Sequence, residues 1–360
     1  MKKVLSSGEV KERLITQAKQ VYTAIDKHKA PSISMPLRSL TNVTYNPADG
    51  YFELKGSEKK RTLTSNTVKT FAQTLLLLNE AKQIIDTQDQ VNKREAYYNS
   101  KNWGDAKFDE ESEASSILED IESMLALNRE QLGFVPGERG GSVVGPMKII
   151  DGTDTIDLTK QGSGSWSIPS GVEHLEFETK AEFVLVVETT ALFDRLNKHG
   201  YWKKAKCIIV AMAGVPTRNT RRFVRRLSDE KKLPVYVFTD GDPYGYFNIY
   251  RTFKVGSGNA AHINEFFCVP QAKFLGVTPQ DIIDYHLPTH PLKEVDIKRA
   301  KDALKNDPFV IHHKPWQRAI RQMIEMKKRV EQQAFAKHGY NFVHEKYLPE
   351  KLKKTDTWLP

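Results

Sequence analysis

Apolar residues recur at helical spacing over residues 8–28, where Val10, Leu14, Ala18, Val21 and Ile25 share one face. Residues 30–60 read instead as short strands broken by turn residues, closing on YFELKG and the basic cluster Lys59, Lys60 and Arg61. So short a stretch holds little core of its own, so residues 1–65 are expected to form an N-terminal arm or a partner-docking segment. Three more helices are predicted. Residues 67–85 place Val68, Phe71, Leu75, Leu78 and Ile85 on one face, 88–103 form a second helix, and 110–127 turn Ile117, Ile121, Met124 and Leu125 inward. The run ERGGSVVGPMKI that follows reads as a glycine turn between two short strands. Three helices and a small hairpin, over residues 66–147, are the plan of a winged-helix DNA-binding module; a generic helical domain has the same coarse pattern.

The pattern then changes. FVLVV (183–187), CIIVA (207–211) and VYVF (235–238) are near-continuous apolar runs, each followed by a loop and a helix-like segment, and residues 270–274 begin another such unit. Buried strands alternating with helices predict a parallel α/β sheet. The expected fold is therefore α/β and multidomain. The winged-helix module is joined to an α/β domain over 148–360, whose end, from about Asp296, is a charged helical extension.

A chain of 360 residues, 39% hydrophobic and 28% charged, is long enough for two domains with cores. The formal net charge of +9 favours a polyanionic partner, of which nucleic acid is the commonest. Cys207 and Cys268 sit in apolar, strand-like runs and are too few for a disulfide framework or a zinc site, which suits a reducing cytoplasm. The N-terminus has no apolar signal core, and the longest apolar stretch, at 75–78, is far too short for a membrane span.

In a parallel sheet ligands gather at the carboxyl ends of the strands. Glu188 closes FVLVV, and Asp240 and Asp242 follow VYVF in TDGDPYG, where i and i+2 point the same way. Gly241 and Gly245 would let the backbone approach a ligand. Three such oxygen donors suit Mg²⁺; the bland alternative is two aspartates serving as turn residues. Upstream, Tyr98 lies four residues after Arg94 in KREAYYNSKNW, on the same helix face. A guanidinium there would favour the phenolate and hold a phosphate, although Tyr97 and Tyr98 also read as half-buried aromatics. Finally, Arg218, Arg221, Arg222, Arg225 and Arg226 fall on one helical stripe that could track a phosphate backbone, the alternative being a solvated face.

At these residues the chain resembles the family of the DNA topoisomerase VI A subunit, kin to the meiotic double-strand-break protein. The resemblance runs over nearly the whole chain: KREAYY (93–98), ERGGSVVG (138–145), VLVVETTALFDRL (184–196), GVPTRNTRRFVRRL (214–227), FTDGDPYGYFNIYRTFKVGS (238–257), AKFLGVTPQDI (272–282) and YLPEKL (347–352). It implies a CAP-like winged-helix domain and a Toprim domain. Tyr98 would be the nucleophile that forms a 5′-phosphotyrosyl link to DNA, with Arg94 assisting, and Glu188, Asp240 and Asp242 would hold Mg²⁺. It also implies a homodimer of A subunits joined to a separate ATP-binding B subunit in an A₂B₂ heterotetramer, consistent with a chain that has no Walker-type loop. An ATP-dependent type IIB topoisomerase, archaeal and nucleoid-associated in the cytoplasm, is the function expected. A break-forming nuclease of the same family and a non-catalytic DNA-binding scaffold are the alternatives. One departure stands out. Relatives often carry Gly-Lys-Gly where this chain has Met212-Ala213-Gly214, so no phosphate contact by a lysine is expected at that position, while the metal site and Tyr98 are left intact.

Overall fold

The computed structural model describes residues 5–137 and 139–360. Residues 1–4 of the expected arm, and Glu138 of the ERGGSVVG run, lie outside the described residues.

Ser6 caps α1 (Ser7–Asp26) through a reciprocal pair of bonds with Glu9, and α1 buries Val10, Leu14 and Val21. Strands β1 (Ser32–Pro36), β2 (Val43–Asn46), β3 (Tyr51–Leu54) and β4 (Glu58–Thr62) follow, β1 pairing with β4 and β2 with β3. Helices α2 (Val68–Thr87), α3 (Lys93–Asn99) and α4 (Glu111–Leu125) come next. Val10 and Leu14 share one core with Leu77, Leu78 and Ile84 of α2 and Ile117, Leu118 and Ile121 of α4. The described part of the expected arm is thus packed, not free. Asp120 of α4 accepts hydrogen bonds from Arg38, Lys59 and Arg61, so two of the three cations in the basic cluster are internal ties.

α3 is shorter than the helix expected over 88–103. Asn92 caps it by accepting from Arg94 N and Glu95 N, while Val91–Asn92 (β5) is drawn into a parallel pair with Phe134–Val135 (β6). Among the described residues, the two strands expected to form a hairpin do not pair with each other. These strands, β7 (Ser142–Val144) and β8 (Met147–Asp151), enter different sheets: β8 pairs with β9 (Asp154–Asp157) and β11 (Glu176–Thr179), while β7 pairs with β10 (Trp166–Ser167) at the edge of the main sheet. Gly145, between them, has φ of +146°, and a Cβ there would lie 2.8 Å from both Cys207 O and Ile208 Cα. The chain must turn away at this close approach, and only glycine fits.

The main sheet adds β12 (Phe183–Val187), β13 (Cys207–Ala211), β14 (Val235–Phe238) and β15 (Lys273–Gly276) in the order β10-β7-β13-β12-β14-β15. β13, β12, β14 and β15 run parallel, as the apolar runs predict, and β7 lies antiparallel on β13. Strand alternation sends Val184, Val186, Ile208 and Val210 to one core with Phe223 and Leu227 of the helix Arg218–Glu230. Leu185, Val187 and Ile209 face a second core with Phe193 and Leu196 of the helix Thr190–Lys198. Both faces are covered, which is why these strands read as unbroken apolar runs. Cys207 opens β13, but Cys268 follows a short helix, Asn264–Phe267, and lies in no strand; both are free and buried. No helix among the described residues is long and apolar enough to cross a membrane.

Candidate active site

Parallel pairing sets the carboxyl ends of β12 and β14 side by side. Val187 lies opposite Phe238, and Glu188 N donates to Phe238 O at 3.1 Å. Glu188 therefore meets the loop that follows β14: its Oε2 accepts from Asp240 N at 2.9 Å. Asp240 Oδ1 accepts from Gln332 N at 2.8 Å, and Asp242 Oδ1 accepts from Gly245 N at 2.7 Å. The structure thus brings together the three carboxylates that sequence spacing singled out.

A segment without a sequence motif completes the site. Val330 and Gly241 exchange backbone hydrogen bonds of 2.8 and 3.2 Å, clamping the middle of the Asp-Gly-Asp loop. Gln332 Nε2 donates to Phe238 O at 2.8 Å, and its Oε1 accepts from Thr189 Oγ1 at 3.3 Å, so one buried side chain ties both strand ends. Arg329 Nη1 lies 3.6 Å from Asp242 Oδ2 and 4.0 Å from Glu331 Oε1. Extended alternation in Arg-Val-Glu-Gln is the only signal that could have found these residues. The glycines differ from expectation. A Cβ on Gly241 would sit 2.6 Å from Val330 Cγ1, and one on Gly245 2.5 Å from Asp240 O, so both positions serve close packing of the chain on itself.

The carboxylates repel. Burial, then the charge of Asp240, pushes Glu188 up to about 7. Burial pushes Asp240 up to about 6 despite the Gln332 N–H, with Asp242 and Glu331 adding to the rise; burial also raises Asp242. Among the described residues no three acidic, histidine or cysteine side chains form a ready-made metal cage. Mg²⁺ does not need one, since it keeps several waters and takes one or two carboxylates alongside substrate phosphates. An all-oxygen donor set with an excess of negative charge, relieved only in part by Arg329, fits such an ion.

Tyr98 lies elsewhere, on α3, and is 57% exposed. Its ring meets Tyr97 edge-on at 5.4 Å, and the Arg94 guanidinium carbon lies 5.9 Å from its centroid. Arg94 thus sits over the ring, on the shared face that the i,i+4 spacing predicts. Tyr97 is engaged: its hydroxyl donates to Asp109 O at 3.2 Å and Lys101 Nζ stands 4.0 Å above its ring. Among the described residues no hydrogen bond or ring contact joins Tyr98 to the acidic triad.

Known proteins decide the family. Residues 183–352 match the family model for the Toprim domain of the topoisomerase 6 A subunit and Spo11, residues 137–181 "All-beta domain in DNA topoisomerase VI alpha subunit", and residues 69–134 "Type IIB DNA topoisomerase". The chain is 53% identical to the A subunit of type 2 DNA topoisomerase 6 from Methanocaldococcus jannaschii over 97% of its own length and 96% of the relative's. It is 37% identical to that of Pyrococcus abyssi, covering 96% and 94%, and 35% identical to that of Halobacterium salinarum, covering 96% of each. The chain belongs to the family of DNA topoisomerase VI A subunits. It is accordingly one subunit of a type IIB DNA topoisomerase, as the resemblance implied, with a Toprim domain built on the parallel sheet.

In this topoisomerase chain the arginine stripe is not a phosphate track. Arg218 donates to Glu122 at 2.6 Å and to Glu130 at 3.0 Å. Arg222 grips Glu173 with two bonds of 2.8 and 2.9 Å. Arg225 is spent on Asp229 and Cys268 O, and Arg226 on Glu230 and Val172 O. Arg221 turns toward the Phe267 ring, 5.7 Å away, its Nε buried without a partner. The helix Arg218–Glu230 is covered on nearly every side, which excludes the solvated-face alternative as well. Ala213 borders the triad: its neighbour Gly214 donates its N–H to Glu188 O at 3.1 Å.

Proposed function

We propose that this protein cleaves DNA with Tyr98 as nucleophile and with Glu188, Asp240 and Asp242 as the holders of Mg²⁺. The convergence of three mutually repelling carboxylates at the strand ends, Glu188 buried and Asp240 and Asp242 half-buried, carries this reading. The Tyr98 oxygen would attack a backbone phosphorus. The tyrosine gives up its proton, the P–O bond to the 3′ oxygen breaks as a 5′-phosphotyrosyl bond forms, and the leaving 3′ oxygen takes up a proton as a hydroxyl; resealing runs the same exchange in reverse. Arg94 would favour the phenolate and the developing charge on the phosphate. The bound ion would supply positive charge against the scissile phosphate.

Separation of Tyr98 from the triad supports a homodimer in which each cut uses Tyr98 of one copy and the acidic site of the other. α2, α3 and α4 would serve as the CAP-like winged-helix module that holds the duplex. A separate ATP-binding B subunit would complete an A₂B₂ heterotetramer. On α1, Ile15, Tyr22 and Ile25 are 38%, 70% and 55% exposed on one side of the helix, which favours this helix as its docking face. A nucleoid-associated place in an archaeal cell follows from the same reading.

The test mixes the chain with a matching B subunit, supercoiled DNA, Mg²⁺ and ATP, then traps products with denaturant. A covalent 5′ adduct and relaxed circles are expected for wild type, and neither for Tyr98→Phe. An adduct that survives Tyr98→Phe would move the nucleophile to Tyr97. Cleavage without resealing would favour the nuclease.

A further inference from the structure

The geometry points to Arg329 as a phosphate-binding residue of this cleavage site, one that screens Asp242 until a divalent ion and DNA replace it there. This rests on the acidic site proposed above. Arg329 belongs to the short pair in which it lies opposite His290, and its neighbour Val330 is clamped to Gly241. Its backbone is therefore fixed against the Asp-Gly-Asp loop. Extended alternation sends Val330 and Gln332 inward, where both are buried, and leaves Arg329 and Glu331 at the rim of the acidic cluster.

The guanidinium is held but not used. It stands 3.6 Å from Asp242 and 4.0 Å from Glu331, ion-pair distances that are too long for hydrogen bonds. Its Nε is buried with no partner. None of its five donors makes a hydrogen bond among the described residues, and Nη1 stands beside the acidic site. The structural arginines of this chain behave differently: Arg218 and Arg222 each make three hydrogen bonds. An uncommitted, partly exposed guanidinium (22% exposed) beside carboxylates that suit a divalent ion can meet two oxygens of a phosphate at once. Once the ion takes Asp242, Arg329 keeps only the more distant Glu331 and the DNA phosphate supplies a new counter-charge. Lys328, exposed and next in the chain, extends the same positive edge.

Three readouts on Arg329→Ala and Arg329→Lys test this. Mn²⁺ binding to the chain without DNA, followed by electron paramagnetic resonance, is expected to tighten about three-fold in Arg329→Ala, because a competing cation is gone. In the heterotetramer the salt dependence of duplex binding should fall by about one unit per Arg329 removed in Arg329→Ala and stay near wild type in Arg329→Lys. The covalent adduct should fall roughly 100-fold in Arg329→Ala and less in Arg329→Lys, which keeps the charge but loses the fork. An unchanged salt slope with an unchanged adduct overturns the proposal. So does weaker Mn²⁺ binding with an unchanged slope, which would make Arg329 a positioning residue for the carboxylates. Arg329→Lys carries the test if Arg329→Ala fails to fold. If wild type forms no adduct, the cleavage reading fails, while metal binding and salt slope still judge Arg329.

Discussion

Glu122 and Glu188 are both buried glutamates, yet their surroundings differ in sign. Glu122, on α4, accepts from Arg218 at 2.6 Å and from Arg129 at 2.9 Å. Burial alone would raise it, but the two guanidiniums hold it well below the usual carboxylate range. Glu173 is held down in the same way by Arg222. Glu188 has no such partner. Its neighbours are Asp240, Asp242 and Glu331, and it is pushed up to about 7. The first cluster is complete and joins the helical half to the sheet. The second is left short of positive charge, with only the loosely held Arg329 beside it. Matched buried charge marks a joint, and unmatched buried charge marks a place where something else binds.

The largest way to break this contrast is Arg218→Ala. It strands Glu122 and Glu130 without their shared guanidinium and should cost about 3–5 kcal/mol in urea unfolding. A loss below about 1 kcal/mol would mean that the pairing does not hold the two halves together. Next, Asp240→Asn should remove the stabilisation by Mg²⁺, which for wild type is about 2.7 kcal/mol at 100 times Kd. Its metal-free melting temperature should not drop, because a repelling charge has gone; a drop would show that the acid is structural.

The pH dependence sharpens the comparison further. The Glu188 value in the folded chain is raised from 4.5 to about 7, so its ionisation opposes folding. In metal-free protein this group costs nothing below about pH 4.5, and its penalty grows as pH rises to about 7. Glu122 has the opposite sign: its contribution is present above about 4.5 and is lost as pH falls through its lowered folded value. Melting curves of Glu188→Gln between pH 5 and 7 should therefore fall less steeply with pH than wild type, and identical slopes would refute the assignment. Smallest of all, Tyr98→Phe should shift unfolding by no more than about 0.5 kcal/mol, since its hydroxyl holds nothing in the fold.

Much of this was legible in the chain itself. FVLVV, CIIVA and VYVF announced parallel strands because strands covered on both faces carry apolar residues at every position. Once the strands were known, Glu188, Asp240 and Asp242 had to lie at their carboxyl ends, and the structure brings them together there. Tyr98 and Arg94 share a helix face because four residues make about one turn.

Other features were decided only by the tertiary structure. Periodicity tells which side of its own axis a residue occupies, but not what lies against that side. The five arginines do form a stripe, yet Glu122, Glu130 and Glu173, 49 to 96 residues away in sequence, consume three of its contacts. The glycine turn at Gly145 looked like a hairpin and instead divides two sheets, because β13 passes too close for a Cβ. The described part of residues 1–65 closes a core that the helices alone leave open. Arg329 and Gln332 reach the site because Val330 pairs with Gly241, 89 residues earlier, and pairing at that range leaves no mark in local sequence.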